Sequence, residues 1–222
     1  MDHFKLPRSL VDREKFILKT CVGKRVLHLG CADAPYTAER LQSGTWLHDK
    51  VTAVSAECLG VDMDRESIAW LQQTHGVTNI VYGNAEALDT LNDKFDVVLA
   101  GEIAEHLNNP GSFLESARSV LAPNGKLLIT TTNAFCFRRF VRIPFGYESI
   151  HPDHTYYYSH VTLETLVKRF GYRLLEAHAY RLPNRKPVLP YLLERLASAV
   201  TPNWAEGIVH LYRVPPDGAA HA

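Results

Sequence analysis

Short apolar runs alternate with longer amphipathic stretches along most of the chain. Five runs of four to seven residues, rich in Val, Ile and Leu, cover 24–30, 58–62, 79–82, 95–100 and 126–131. Runs of this length and composition are typical of parallel strands that are covered on both faces. The C-terminal half adds two strand candidates, 172–180 and 207–214. The pattern therefore predicts seven strands.

Helical spacing fills the intervals between the strand candidates. Residues 65–75 place Ile68 and Leu71 on one face, and Gly76 is a typical helix stop. Further helices are predicted at 112–121, 162–170 and 191–200. Strands that alternate with helices indicate an α/β fold with a doubly wound, mostly parallel sheet and helices on both faces. The ligand crevice of such a fold lies at the carboxyl ends of the strands.

Two segments interrupt this alternation. Residues 133–160 are rich in aromatic residues, arginine and histidine, and residues 181–206 begin with a proline-rich stretch. The chain of 222 residues shows no repeat and no linker, so we expect residues 1–222 to form a single domain. The two irregular segments are expected to form a lid or cap on the substrate side.

Charge and cysteine content exclude several classes of protein. Lys plus Arg and Asp plus Glu both number 24, a balance that gives no electrostatic footprint for nucleic acid. No run approaches the roughly 18 apolar residues of a membrane span. The four cysteines form no CxxC pair, and we expect them to be buried free thiols. We expect a cytoplasmic protein, a monomer or homodimer, that takes a small-molecule acceptor.

Small or acidic residues follow four consecutive strand candidates. Gly30 ends the first, Asp62 ends the second, Asn84 follows the third, and Gly101 and Glu102 end the fourth. An acid at the end of the second strand can accept two hydrogen bonds from a ribose diol. The glycines of a dinucleotide-binding or phosphate-binding loop are absent, which disfavours a nicotinamide-dependent oxidoreductase.

This ordered set resembles the class I S-adenosylmethionine-dependent methyltransferases over about residues 24–131. VLHLGCADA is similar to the motif that holds the methionine part, and GVDMD to the one whose acid holds the ribose. YGNAEAL resembles the adenine motif, and AGEIAEHL the motif near the methionine amine. The resemblance implies S-adenosylmethionine as cofactor, S-adenosylhomocysteine as product, and a Rossmann-like seven-stranded sheet with the last strand antiparallel. The cofactor-binding residues that it implies are Gly30, Cys31, Ala32, Asp33, Asp62, Met63, Asn84, Ala85, Glu86, Gly101 and Glu102.

The first motif departs from the family pattern. The family has an acid where His28 stands, and glycines where Ala32 and Ala34 stand. Asp33 is the substitute that we expect for the missing acid at the methionine amine. Residues 43–57 lengthen the link to the second strand and are expected to cover the cofactor.

Three residues after the fourth strand are candidates for catalysis. Glu102, Glu105 and His106 have the spacing i, i+3 and i+4, which places them on one face if they are helical. His106 is the favoured general base because histidine titrates near neutral pH. Alternatively, Glu102 and His106 only stabilise the cofactor turn. His154 is the second candidate base, and its alternative is a histidine packed in a loop.

Histidines 151, 154 and 160 raise the question of a metal, but their spacing lacks a helix and a supporting acid, so no metal is predicted.

The acceptor is expected to meet the irregular segment after the fifth strand. Arginines there could bind a phosphate or carboxylate, or form a solvated face. The segment resembles methyltransferases of bacterial glycan and natural-product pathways, which implies O-methylation of a sugar-containing or similar small acceptor. Alternatives are N- or C-methylation and a non-catalytic module on the same fold. The expected substrate-binding residues are Arg138, Arg142, Tyr147, His151 and Tyr157.

Overall fold

A mixed sheet forms the centre of the protein. The computed structural model describes residues 6–148, 150–182 and 189–215. Within them the strand order is β1-β7-β8-β6-β5-β2-β3-β4, and all pairs are parallel except those that β8 makes with β6 and β7. The seven predicted strands are confirmed, with the last antiparallel, and a two-residue strand at the N-terminal end adds an eighth. The strands are β1 (Leu10–Val11), β2 (Arg25–Leu29), β3 (Glu57–Asp62), β4 (Ile80–Tyr82), β5 (Phe95–Gly101), β6 (Leu121–Thr132), β7 (Arg173–Tyr180) and β8 (Gly207–Arg213).

The four predicted helices are present, and four further helices have no counterpart in the prediction. The best-defined helix begins after Asp64, whose side chain accepts from the Glu66 N–H, and ends at Gly76 with φ of 64°. No helix among the described residues is long and apolar enough to cross a membrane. The helices are α1 (Arg13–Cys21), α2 (Thr37–Gln42), α3 (Leu47–Val54), α4 (Arg65–His75), α5 (Pro110–Val120), α6 (Phe137–Phe140), α7 (His160–Arg169) and α8 (Leu189–Val200).

Side chains alternate between the two faces of the sheet, as the strand period requires. On one face, Val26 of β2 packs in a cluster with Ile17 of α1 and Val51 of α3. On the other face, Leu27 of β2 packs in a cluster with Phe113 of α5. Because both faces are covered by helices, the strands read as apolar runs.

The topology brings both irregular segments to the carboxyl edge of the sheet. The segment 133–160 leaves β6 at Thr132, beside the carboxyl end of β5. The segment 181–206 joins the end of β7 to the start of β8, where Tyr180 pairs with Gly207. Residues 183–188, in the predicted proline-rich stretch, lie outside the described residues. Both segments therefore start from the edge where the ligand crevice is expected.

A buried chain of polar rings crosses from α7 to β8. His160 Nδ1 lies 2.7 Å from His210 Nε2, and His210 Nδ1 lies 2.6 Å from the Tyr212 hydroxyl. Burial lowers the pKa of His160 to about 4, with a smaller contribution from His178. Burial also holds the pKa of His210 well below its usual value. Both rings are therefore neutral in the folded protein.

These neutral histidines predict a loss of stability in acid. The unfolded state takes up protons below about pH 6.5 and the folded state does not, so stability falls from pH 6.5 toward pH 4. We expect His160→Gln to remove about 1–3 kcal/mol of the fall between pH 7.5 and pH 5. Urea unfolding at the two pH values measures it. His75→Gln, at the exposed end of α4, is the control and should behave as the wild type. An identical fall in wild type and His160→Gln would contradict the prediction.

Candidate functional site

The turn after β2 is held in place by Asp62 at the end of β3. Gly30 has φ of 67°, and a Cβ atom there would collide with the Ile103 side chain. The Ala32 N–H donates to Asp62 Oδ2 at 2.8 Å, and the Asp64 N–H donates to Oδ1 at 2.9 Å. A carboxylate has about four acceptor positions, so Asp62 can accept further hydrogen bonds from a ligand diol. The predicted ribose contact is thus compatible with the geometry.

The link between β2 and β3 packs beneath the turn. The Trp46 indole N–H donates to the Cys31 carbonyl at 2.8 Å, and Trp46 is 3% exposed. Nδ1 of His48 lies 3.2 Å from Nδ1 of His28, and both rings are buried. Burial and the neighbouring His48 hold the pKa of His28 well below its usual value, and burial lowers that of His48 to about 4. Trp46 and His48 therefore pack against the turn and the strand that leads into it, and the expectation that this link covers the cofactor stays a prediction.

Asp33 lies in the same turn and is engaged by an arginine. It has φ of 59°, and its carboxylate lies 3.0 Å from Arg40 Nε. Burial raises the pKa of Asp33, and the charges of Arg40 and Arg13 oppose that rise. Its assignment to the methionine amine stays a prediction.

Arg13 of α1 lies at the same edge of the sheet, although the sequence did not predict it as a site residue. Its Nε donates to Thr130 Oγ1 at 2.9 Å and lies 3.9 Å from Glu102 Oε1. The Tyr180 hydroxyl, at the end of β7, donates to Glu102. A Cβ atom at Gly101 would lie 3.0 Å from Nη2 of Arg13. A side chain at this position would therefore crowd the guanidinium. The helix that carries Arg13 has a recognisable Asp12 cap, but only the folded chain brings it to the strand ends.

The loop after β4 is tied to the loop after β5 through Glu86. The N–H groups of Asn108 and Asn109 donate to Glu86 Oε1 at 2.8 and 2.9 Å. Burial alone would raise the pKa of Glu86, but the hydrogen bonds from Asn109 and Asn108 outweigh it and the pKa is lowered. Asn84 Oδ1 accepts from the Glu86 N–H at 2.9 Å, Ala85 is half-buried, and Met63 at the β3 end is 60% exposed.

Glu102, Glu105 and His106 do not share one helix face. Glu102 has φ of 58° and precedes a short 3₁₀ helix, Ala104–His106, so the expected α-helical spacing is wrong. Glu105 is 1% exposed and accepts from Thr131 Oγ1 at 2.7 Å. Burial and the neighbouring Glu102 raise the pKa of Glu105. Glu105 is thus a buried structural acid, whereas His106 points to the surface.

His106, His151 and His154 come together where the segment 133–160 meets the loop after β5. Ring centroids lie 4.5 Å apart for His106 and His154, 5.8 Å for His106 and His151, and 5.4 Å for His151 and His154. Burial, then the charges of His106 and His151, lower the pKa of His154 to about 4. Burial and, to a smaller extent, the charge of His151 lower the pKa of His106. The sequence had grouped the last two with His160, which lies instead beside His210.

Arg138 is buried in an ion network, which argues against the predicted acceptor contact. Its Nε donates to Glu194 Oε2 at 3.1 Å and its Nη2 to Glu206 Oε1 at 3.2 Å, and the residue is 7% exposed. The arginine lies in the segment 133–160 and both acids lie in 181–206. The arginine predicted to bind a phosphate or to be solvated therefore links the segment 133–160 to the segment 181–206.

The remaining predicted acceptor residues have unequal access. Tyr147 is 69% exposed. Arg142 and Tyr157 are half-buried, and burial raises the pKa of Tyr157. Exposed apolar side chains surround Tyr147 in sequence, among them Phe140 and Phe145 at 64% and 77% exposure. This part of the segment 133–160 thus exposes apolar and aromatic side chains.

Comparison with known proteins agrees with this geometry. A family model described as a methyltransferase domain matches residues 2–177. The chain is 32% identical over 121 residues to a ubiquinone biosynthesis O-methyltransferase of Azorhizobium caulinodans, covering 52% of this chain and 43% of that protein. It is 28% identical over 131 residues to a mitochondrial one of Schizosaccharomyces pombe, covering 59% and 46%. The matches span about half the length of these relatives.

Solved structures are similar in fold. A SAM-dependent methyltransferase from Archaeoglobus fulgidus has a TM-score of 0.57 at 17% identity and covers 90% of each chain. The N-methyltransferase NodS of Bradyrhizobium japonicum, solved with S-adenosylhomocysteine, has a TM-score of 0.55 at 14% identity, covering 92% of this chain and 86% of that one. At these identities the likeness shows the fold alone.

Proposed function

The chain belongs to the S-adenosylmethionine-dependent methyltransferase family, and from that membership we propose that it methylates an oxygen of a small acceptor with an apolar part. The observation that carries the proposal is the arrangement of groups along one sheet edge. Asp62 ends β3, and the His106 cluster follows β5, two strands away. Adjacent strands lie about 4.8 Å apart, so the two groups are separated by roughly 10 Å across the sheet. An extended cofactor would lie between them.

The groups along this edge suit the cofactor. Asp62 would accept from the ribose hydroxyls, and the loop at Asn84 and Ala85 would meet the adenine. Arg13 would pair with the methionine carboxylate, since a guanidinium binds carboxylates through charge-assisted hydrogen bonds. Glu102, held by Tyr180, would lie beside the methionine amine. When bound, S-adenosylmethionine supplies an electrophilic methyl group, and the protein contributes alignment of the acceptor with it.

The lid supports the choice of acceptor. The segments 133–160 and 181–206, joined through Arg138, would enclose the acceptor at the carboxyl edge. Exposed Phe140, Phe145 and Tyr147 favour an acceptor with an aromatic ring or apolar chain over a bare sugar. The histidine cluster suits a hydroxyl. The relatives that carry the name of O-methyltransferases agree with this choice, and the general-base role of His106 or His154 stays a prediction.

Transfer of a labelled methyl group tests the proposal. The full chain is incubated with tritiated S-adenosylmethionine and with phenols, aliphatic alcohols, simple sugars or amines. We expect base-stable label in phenols or alcohols that carry an apolar group. Phe145→Ser should raise KM for such an acceptor about tenfold, the value of one buried aromatic contact, without changing the affinity for S-adenosylhomocysteine.

Val22→Ser is the matched control for Phe145→Ser. Val22 is 59% exposed and lies just before β2, at the opposite edge of the sheet. It should leave KM unchanged. Label that enters only amines, or no binding of S-adenosylhomocysteine by calorimetry, would overturn the proposed function.

A further inference from the structure

We propose that His106, His151 and His154 form a binding site for a divalent transition metal ion of the zinc type. Each ring offers one nitrogen, and the three nitrogens lie within 4.8 Å of one another. Zinc–nitrogen bonds of about 2.0–2.1 Å place tetrahedral ligand nitrogens roughly 3.4 Å apart. Small side-chain rotations would therefore close the three rings on one ion.

The backbone holds two of these ligands together. His106 ends the 3₁₀ helix Ala104–His106. The Thr155 N–H donates to the Glu105 carbonyl at 2.8 Å, and Thr155 Oγ1 donates to the same carbonyl at 3.1 Å. Glu105, which precedes His106, and Thr155, which follows His154, are thus hydrogen-bonded to each other. The approach of the two rings does not depend on flexible side chains alone.

The polar atoms around the rings suit a metal. The Asp153 carboxylate lies 3.6 Å from His151 Nδ1, which also accepts from the Asp153 N–H at 3.3 Å, so Asp153 would orient this ring. His154 Nδ1 is buried, and within the described residues it has no hydrogen-bond partner.

The ligand set indicates the class of ion. Imidazole nitrogens suit zinc, copper, nickel and iron, whereas magnesium and calcium prefer oxygen ligands. Three protein ligands leave a coordination position for water or for a substrate oxygen, as in catalytic zinc sites. That position would receive the acceptor hydroxyl, and the ion would then take the place of a histidine base, because a ring nitrogen that binds an ion cannot accept a proton. This role rests on the proposed function, whereas metal binding itself does not.

Cobalt titration of the full chain tests the site without cofactor or acceptor. We expect the wild type to bind one equivalent of Co²⁺ with visible absorption bands of a four- or five-coordinate ion, and Zn²⁺ to displace it. His151→Ala and His154→Ala should each weaken binding by about 100-fold or more. Asp153→Asn should weaken it by about 10- to 100-fold, the usual range for a group that orients a ligand.

His75→Ala is the matched control, since His75 is exposed on α4 and remote in sequence from the cluster. Its Co²⁺ affinity and spectrum should equal those of the wild type. The proposal is overturned if the wild type binds no stoichiometric Co²⁺, or if His151→Ala and His154→Ala bind it as tightly as the wild type. Because no methyl transfer is measured, this outcome is independent of the acceptor assay.

Discussion

Asp62→Ala is expected to weaken S-adenosylhomocysteine binding by about 100-fold or more. The substitution removes the carboxylate that would accept from both ribose hydroxyls, and charged hydrogen bonds contribute about 1.5–3 kcal/mol each. It also removes the Asp62 oxygen that accepts from the Ala32 N–H at 2.8 Å, a hydrogen bond that holds the turn after β2 in place. Both losses act on the ligand-binding edge. Titration calorimetry with the purified full chain measures the change.

Two further variants separate the ribose contact from the support of the turn. Asp62→Asn keeps one carbonyl oxygen for the Ala32 N–H but loses the charge, so its affinity should lie between those of the wild type and Asp62→Ala. Asp64→Asn lies two residues away and retains a helix cap, because Asn is as good a cap as Asp. It should bind as the wild type does. Wild-type affinity in Asp62→Ala would refute the ribose assignment.

Arg13→Met is expected to weaken S-adenosylhomocysteine binding by about 10- to 100-fold, the range of one charged hydrogen-bonded pair. Methionine keeps the apolar packing of the arginine stem and removes only the guanidinium. Calorimetry with 5′-methylthioadenosine, which lacks the amino-acid part, makes the test specific. If Arg13 pairs with the carboxylate, the affinity for this second ligand should be unchanged.

Lys19→Met is the control for Arg13→Met. Lys19 lies on the same helix, is exposed, and occupies its last turn away from the strand ends. It should bind both ligands as the wild type does. An equal loss of affinity for the two ligands in Arg13→Met would show that the variant disturbs the edge as a whole, and would refute the carboxylate contact.

Local signals predicted the framework of this protein. The apolar runs have the length and composition of strands that are buried on both faces, so the strands could be recognised without knowledge of their neighbours. The ends of α4 follow from Asp64 and Gly76, whose preferences are set by the backbone conformation at those positions. Asp62 at the end of β3 was placed beside the turn at Ala32 because parallel strands end at one edge.

Contacts between residues that are distant in the chain could not be predicted from the sequence. Nothing local distinguishes Arg138, which pairs with Glu194 and Glu206, from a solvated arginine. Nothing in the spacing of Glu102 and Glu105 shows that a left-handed residue breaks the helix between the strand and His106.

The sequence by itself determined the α/β framework and the order of the cofactor motifs, because periodicity and turn preferences are properties of short segments. Tertiary structure decided which charged groups meet at the edge. Arg13 reaches Glu102, and His106 meets His151 and His154, only because segments far apart in the chain converge there. The energy of such encounters depends on burial and distance, which the folded chain alone defines.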